Sequence, residues 1–253
     1  MHRDLCGYRF ADRHWRFSQT RARALASALD YPQTDVLPPT LAFSAELDGG
    51  IVDQMLSLTG LGAHQLLHGE QHFVYHRPLQ PEQDYLVSGH ISQVQRKGSL
   101  QLWRKDTLLE DDQGRRVCAM RSIYVGLDNP TGPGQAQPLQ SESAPLATGP
   151  RLDAARIAAF ARASGDLNRV HLDSEVARQA GHADVFAQGM LGMGLLGGLL
   201  LGEPLRAFGV RFVAPLPVNE QPLLYRLSRT DTPLLLTSAE GLLRVKGYAD
   251  TVT

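Results

Sequence analysis

Asp166 and His171, five positions apart, are the two side chains of this sequence best suited to acid–base chemistry, with Asn168 between them. A carboxylate and an imidazole in one pocket can orient a water molecule and move its protons. An unperturbed imidazole titrates near pH ~6.5, so it exchanges protons at working pH without extreme tuning. Asn168 adds a donor and an acceptor to the same segment. Read locally, Ser164-Gly165-Asp166-Leu167-Asn168 is also a helix end followed by a turn, with Asp and Asn bonding nearby backbone. Asp173 reads as the N-cap of a following short helix. Further on, Gly189 precedes an apolar run from Met190 to Leu201. The first N–H groups of a helix lack partners and sit at its positive end, so the Gly189 amide can hold an oxygen that becomes negative during a reaction.

These residues need a scaffold, and the chain supplies one twice. Between Asp128 and Pro150 it runs through repeated Pro, Gly and Ser, which reads as a linker between halves 1–127 and 151–253. Each half opens with a helix-period segment, Arg21 to Leu29 and then Asp153 to Ala163, with Asp153 placed to cap the second. Each then has an apolar strand entering a Pro-Leu corner, Phe73 to Leu79 and Arg211 to Leu216. Strand-like runs follow, Tyr85 to Ile91 and Arg116 to Val125 in the first half, Leu223 to Leu227 and Leu242 to Tyr248 in the second. Helix first and strands after, repeated, predicts an α+β fold of two units. The run from Met190 carries glycines at 192, 194, 197 and 198, and such a helix needs a surface closely wrapped around it.

Hydrophobic residues make up 43% of the 253 positions and charged residues 20%, which places the chain among ordinary globular proteins. A formal net charge of -1 gives no electrostatic footprint for nucleic acid or an anionic membrane. Cys6 and Cys118 form no metal-type or disulfide-framework spacing, and the N-terminal residues lack the apolar core of a signal peptide. A cytoplasmic location is therefore expected. The Met190 to Leu201 run, roughly 18 Å as a helix, falls short of the roughly 30 Å of a bilayer core.

The segment Ser164-Gly-Asp166-Leu-Asn168-Arg-Val-His171-Leu-Asp173, with Gln188-Gly189-Met190 downstream, resembles the MaoC-like or (R)-specific enoyl-CoA hydratase family. That family's motif reads roughly Ser-Gly-Asp-x-Asn-Pro-x-His-x-Asp and then Ala-His-Gly-Met. The first half is similar to the N-terminal half of double-hotdog members through Pro38-Pro39-Thr40, His68-Gly69-Glu70-Gln71 and Tyr75-His76-Arg77-Pro78-Leu79. The resemblance implies a double hotdog, with two antiparallel sheets each curled around a central helix. It implies hydration of 2-enoyl thioesters to (R)-3-hydroxyacyl thioesters, or the reverse, on CoA or acyl carrier protein. Asp166 and His171 would activate the water, Asn168 would assist, and Gly189 would hold the thioester oxygen. Gln188 and Met190 would line the substrate, and Arg77 or Arg211 could meet a CoA phosphate. No cofactor or metal is implied, and the partners would be the thioester and a possible second copy of the chain. A hotdog thioesterase and a non-catalytic acyl-thioester binding protein are the alternatives.

Arg169 stands where the family has Pro, Gln188 stands where it has His, and the usual Pro-Gly-Asp turn is absent from both halves. Gln188 can donate and accept hydrogen bonds but cannot titrate, and Arg169 is expected to place a cation beside the pocket. After Leu29-Asp30 the first half has no matching Asp and His, so one active site per chain is expected, with the first half shaping a roomy acyl tunnel. His68, His72 and His76 recur at a helical metal-site spacing, but Phe73, Val74 and Tyr75 favour a strand and Pro78 opposes a helix.

Overall fold

The computed structural model describes residues 5–32, 35–62, 65–98, 100–127, 136–139, 143–227 and 232–252. The first half contains β1 (Arg13–Trp15), α1 (Gln19–Ala28), α2 (Ser44–Asp48), α3 (Ile51–Thr59), β2 (Leu66–Tyr75), β3 (Tyr85–Lys97), β4 (Leu100–Glu110) and β5 (Arg116–Leu127). The second contains β6 (Ala147–Thr148), α4 (Ala154–Ser164), α5 (Ser174–Gln179), β7 (Phe186–Ala187), α6 (Gly189–Gly198), β8 (Leu205–Phe212), β9 (Leu216–Pro217), β10 (Leu223–Arg226), β11 (Thr232–Thr237) and β12 (Leu243–Thr251). Short 3-10 turns at Leu41–Phe43 and Arg169–His171 complete the order.

The sheets of the two expected units are continuous with each other. Ten antiparallel strands run in the order β1-β3-β4-β5-β2-β8-β12-β11-β10-β6, with the two halves joined where β2 pairs with β8. The order reads outward from that seam as the same sequence of roles on both sides, so the strands that would have been edges at the seam satisfy each other. Pro78 and Pro215 are 137 positions apart, and so are His72 and Gly209, which face each other across the seam. A Cβ on Gly209 would lie 2.4 Å from His72 Nδ1 and 2.6 Å from Tyr248 Cε1. Only one of two equivalent residues can carry a side chain at that crossing, and glycine yields the space.

Helix boundaries follow the caps. The Asp153 carboxylate accepts from Arg156 N at 2.8 Å and starts α4, and Gly165, at φ 91°, ends it. The buried face of α4 is Ile157, Phe160, Ala161 and Ala163. Asp173 caps α5 as its position predicts, accepting from Glu175 N at 3.0 Å and Val176 N at 3.3 Å. The glycine-rich α6 is buried from Met190 to Gly197; a Cβ at Gly192 or Gly194 would press within 2.8 Å of Leu216 or 2.5 Å of Leu29. Of the expected linker, residues 128–135 and 140–142 lie outside the described residues. The remainder is partly sheet, since β6 pairs with β10 and Pro138 bridges to Leu242.

The interior of the first half, expected to shape an acyl tunnel, carries buried polar groups. Trp103, Lys105 and Thr107 of β4 point inward, and Lys105 forms an ion pair with Glu46 of α2 in which both side chains are fully buried. Ser122 donates to Gln71 Oε1 at 2.7 Å, and His68 Nε2 meets the same oxygen at 3.1 Å. The His68 ring stacks between Phe43 and Tyr124 at 5.4 and 5.0 Å. Burial, with Lys105 nearby, pushes the His68 pKa down to about 3, so the ring is neutral. The inner face of the second half is apolar instead, with Phe208, Val210, Leu234, Leu236 and Val245.

Candidate active site

The turn at 165–171 brings Asp166, Asn168 and His171 together. Ser164 Oγ accepts from Asp166 N at 3.2 Å, and an Asp166 carboxylate oxygen accepts from Asn168 N at 3.4 Å. Asn168 then caps the 3-10 turn, its Oδ1 accepting from Val170 N at 3.3 Å. These bonds hold the three residues by local backbone geometry. All three are half-buried.

His171 is held from below. Its Nδ1 lies 2.9 Å from the carbonyl of Phe186, and since a carbonyl only accepts, Nδ1 carries the proton and Nε2 is left with a lone pair. Phe186 can offer that carbonyl because of its register. Val218 N bonds Val185 O at 3.2 Å, which leaves Phe186 at a non-hydrogen-bonded position opposite Pro217, its polar groups turned away from β9. The Phe186 ring meets His171 edge-on at 4.7 Å and lies 4.2 Å from His182. Burial lowers the His171 pKa, while the Asp166 carboxylate opposes that shift. Burial and His171 together lower that of His182. Neither Phe186 nor His182 stands out in the sequence, because nothing within a few residues marks a backbone carbonyl as an imidazole's partner.

Gly189 is the first residue of α6, and no side chain caps that end of the helix. A Cβ on Gly189 would lie 3.0 to 3.3 Å from the Phe212 ring, which itself meets His68 edge-on at 5.0 Å. Gln188 is fully buried, and neither polar atom of its amide has a hydrogen-bond partner among the described residues. Met190 is buried as well. It helps line a gap of about 10 Å³ with Thr40, Phe43, Ser44 and Ser164, where the two halves meet beside the turn.

The remaining expected residues lie elsewhere. Arg211 projects from the outer face of the sheet, its side chain 72% exposed and 3.6 Å from Glu70, while its neighbour Phe212 faces Gly189 on the inner side. Arg77 is exposed beyond the end of β2 and donates to the Arg116 carbonyl at 2.7 Å. Tyr75, the last residue of β2, is about 17 Å along the strand from Glu70, the residue paired with Arg211, at ~3.3 Å per residue. Arg169 also turns outward, donating to Asp173 at 2.6 Å, so its charge is paired at the surface and does not enter the pocket. His68 and His72 lie on a strand, and among the described residues no group of three or more His, Cys, Asp or Glu side chains is placed to hold a metal ion. Cys6 and Cys118 form no disulfide with each other. No described helix is long and apolar enough to cross a membrane.

The fold is of the hotdog type, and the 164–173 motif lies within its second half. Residues 20–120 match the family model for the FAS1-like dehydratase domain region, and residues 131–224 match the MaoC-like domain. The two matches together span most of the chain, which carries a MaoC-like domain in its second part. It is similar in structure to a MaoC-like dehydratase from Phytophthora capsici, with TM-score 0.79 and 18% identity over 98% of this chain and 96% of that one. HtdX of Mycobacterium tuberculosis is similar with TM-score 0.79 and 17% identity over 96% and 100%. A further M. tuberculosis protein described as having a double hotdog fold matches with TM-score 0.61 and 13% identity over 98% and 96%. Among curated proteins none matches the chain in sequence.

Proposed function

We propose that this chain adds water across the double bond of a 2-enoyl thioester to give the (R)-3-hydroxyacyl thioester, and catalyses the reverse dehydration, with the acyl group on CoA or acyl carrier protein. The observation that carries this reading is the His171 Nδ1 bond to the Phe186 carbonyl, which leaves a neutral Nε2 on the turn that also presents Asp166. In the forward direction the Asp166 and His171 pair takes a proton from water as its oxygen bonds to Cβ. A proton is returned to Cα, so the pair ends as it began. Negative charge gathers meanwhile on the thioester oxygen, where the Gly189 N–H and the positive end of α6 stabilise it. Asn168 assists in the same pocket, and Gln188 and Met190 border the acyl group. Arg77 and Arg211 stand exposed and away from the turn, where they would meet a CoA phosphate and not the acyl group.

The test follows absorbance of the enoyl-thioester band with crotonyl-CoA and a longer 2-enoyl-CoA. Wild type is expected to remove the absorbance with the thioester intact, and His171→Ala to lose about 10²- to 10⁴-fold in rate. Release of free thiol in place of hydration would replace this reading with a thioesterase. Binding of the thioester by folded wild type without turnover would replace it with a binding role.

A further inference from the structure

We propose that Arg21, from the half that lacks the motif, is the positioning residue for Asp166. The inference rests on the hydration reading for its kinetic arm alone. Arg21 lies in the first turn of α1, and its guanidinium reaches the last carbonyls of α4, with Nε donating to Ala163 O at 2.8 Å and a terminal nitrogen to Ser164 O at 2.8 Å. Those carbonyls are the unpaired end of the helix, where a cation is also favoured by the dipole. Two residues later comes Asp166, whose amide bonds Ser164 Oγ. The guanidinium therefore grips the backbone on which the carboxylate is mounted.

Its own position is fixed in turn. Arg21 forms a two-pronged pair with Asp48 at the end of α2, and Trp15 Nε1 donates to Asp48 Oδ2 at 2.9 Å. Gly165 completes the fit, since a Cβ there would lie 2.9 Å from Asp48 Oδ1 and 3.1 Å from the Arg21 guanidinium. Arg21, Asp48 and Trp15 all come from the first half.

The second half returns the same grip. Arg156 in α4 donates to Ala28 O at 2.9 Å and to Asp30 Oδ1 at 3.4 Å, closing the C-terminus of α1. Arg21 and Arg156 are 135 positions apart, as are Ala28 and Ala163, and as are the N-cap residues Ser18 and Asp153. The two contacts are images of each other about the pseudo-twofold axis. What they support differs. One holds the turn of Asp166, the other a turn where Tyr31 occupies the equivalent position and donates to Gly194 O at 2.7 Å. Nature has thus supplied a matched control in the same molecule.

The experiment compares Arg21→Lys, which keeps the charge and loses the fork, with Arg156→Lys and with Asp48→Asn. It reads kcat and KM on a 2-enoyl-CoA, the melting temperature, and the titration of the His171 imidazole by NMR. The titratable groups facing that imidazole are Asp166 from its turn and His182 from the segment before β7. Arg21→Lys and Asp48→Asn are expected to lower kcat by about tenfold or more with KM little changed, and to move the His171 titration to lower pH as Asp166 drifts. Arg156→Lys is expected to lower the melting temperature to a similar extent and leave kcat and the titration within error. Equal loss of kcat in the Arg21 and Arg156 variants, or an unmoved His171 titration in folded Arg21→Lys, overturns the proposal. If wild type hydrates nothing, the hydration reading fails by itself, and the titration shift alone decides the role of Arg21.

Discussion

His171 donates its Nδ1 proton to the carbonyl of Phe186 at 2.9 Å, so the ring is fixed in one tautomer with Nε2 as its only free nitrogen. Burial holds its pKa below the ordinary histidine value. A base that works in its neutral form then stays competent as the medium becomes mildly acidic. The limiting rate on a 2-enoyl-CoA should hold as pH falls through about 6.5 and decline only below it. A pH–rate profile that already falls above that value would contradict the assignment.

The same shift has a sign for stability. The folded protein binds this proton less tightly than the unfolded chain, so the contribution of His171 is present in full above about pH 6.5. It is withdrawn as pH falls toward the folded-state value. Denaturant midpoints at pH 7.5 and 5.5 should differ less in His171→Asn than in wild type.

Asp166 opposes the shift, because its charge favours the imidazolium. Asp166→Asn should therefore move the His171 titration further down and reduce the rate by about 10²- to 10⁴-fold. An imidazole titration that rises, or does not move, would show that the two side chains do not interact.

Gly189 leaves room for the Phe212 ring. Gly189→Ala should lower stability by about 1–3 kcal/mol and reduce the rate, because the new methyl group pushes the ring toward His68. Adding Phe212→Leu should recover much of both losses, a coupling that a double-mutant cycle measures directly.

The buried Lys105 and Glu46 pair offers a test of the first half's interior. Burial works against the Lys105 charge, but attraction to Glu46 outweighs it and raises the pKa, so the ammonium keeps its proton. Lys105→Met alone should destabilise the protein by about 3–5 kcal/mol by leaving Glu46 unpaired, and adding Glu46→Leu should recover most of it. Unfolding midpoints that fall additively would show the two groups act independently.

Where a feature depends on residues close in sequence, it is legible without coordinates. The Asp166 to His171 turn, the Asp153 and Asp173 caps, the strand at Phe73 and the buried glycine-rich helix all follow from local hydrogen bonds or from short periods in polarity. β4 did not stand out, and its own core explains why. Its inward positions include Lys105 and Thr107, which break the apolar alternation a half-buried strand ordinarily shows.

By itself, then, the sequence determined the repeat, the motif and which side chains are the candidates for acid–base chemistry. Tertiary structure alone decided that the halves share one sheet, that Phe186 sets the His171 tautomer, and that Arg21 reaches α4 from 142 positions away. It also decided that Arg77 and Arg211 lie apart from the turn. The division is physical. Caps and periodicity are fixed by neighbours within a helical turn or a strand pair, whereas a carbonyl's partner or the face on which an arginine emerges depends on register and packing between distant segments.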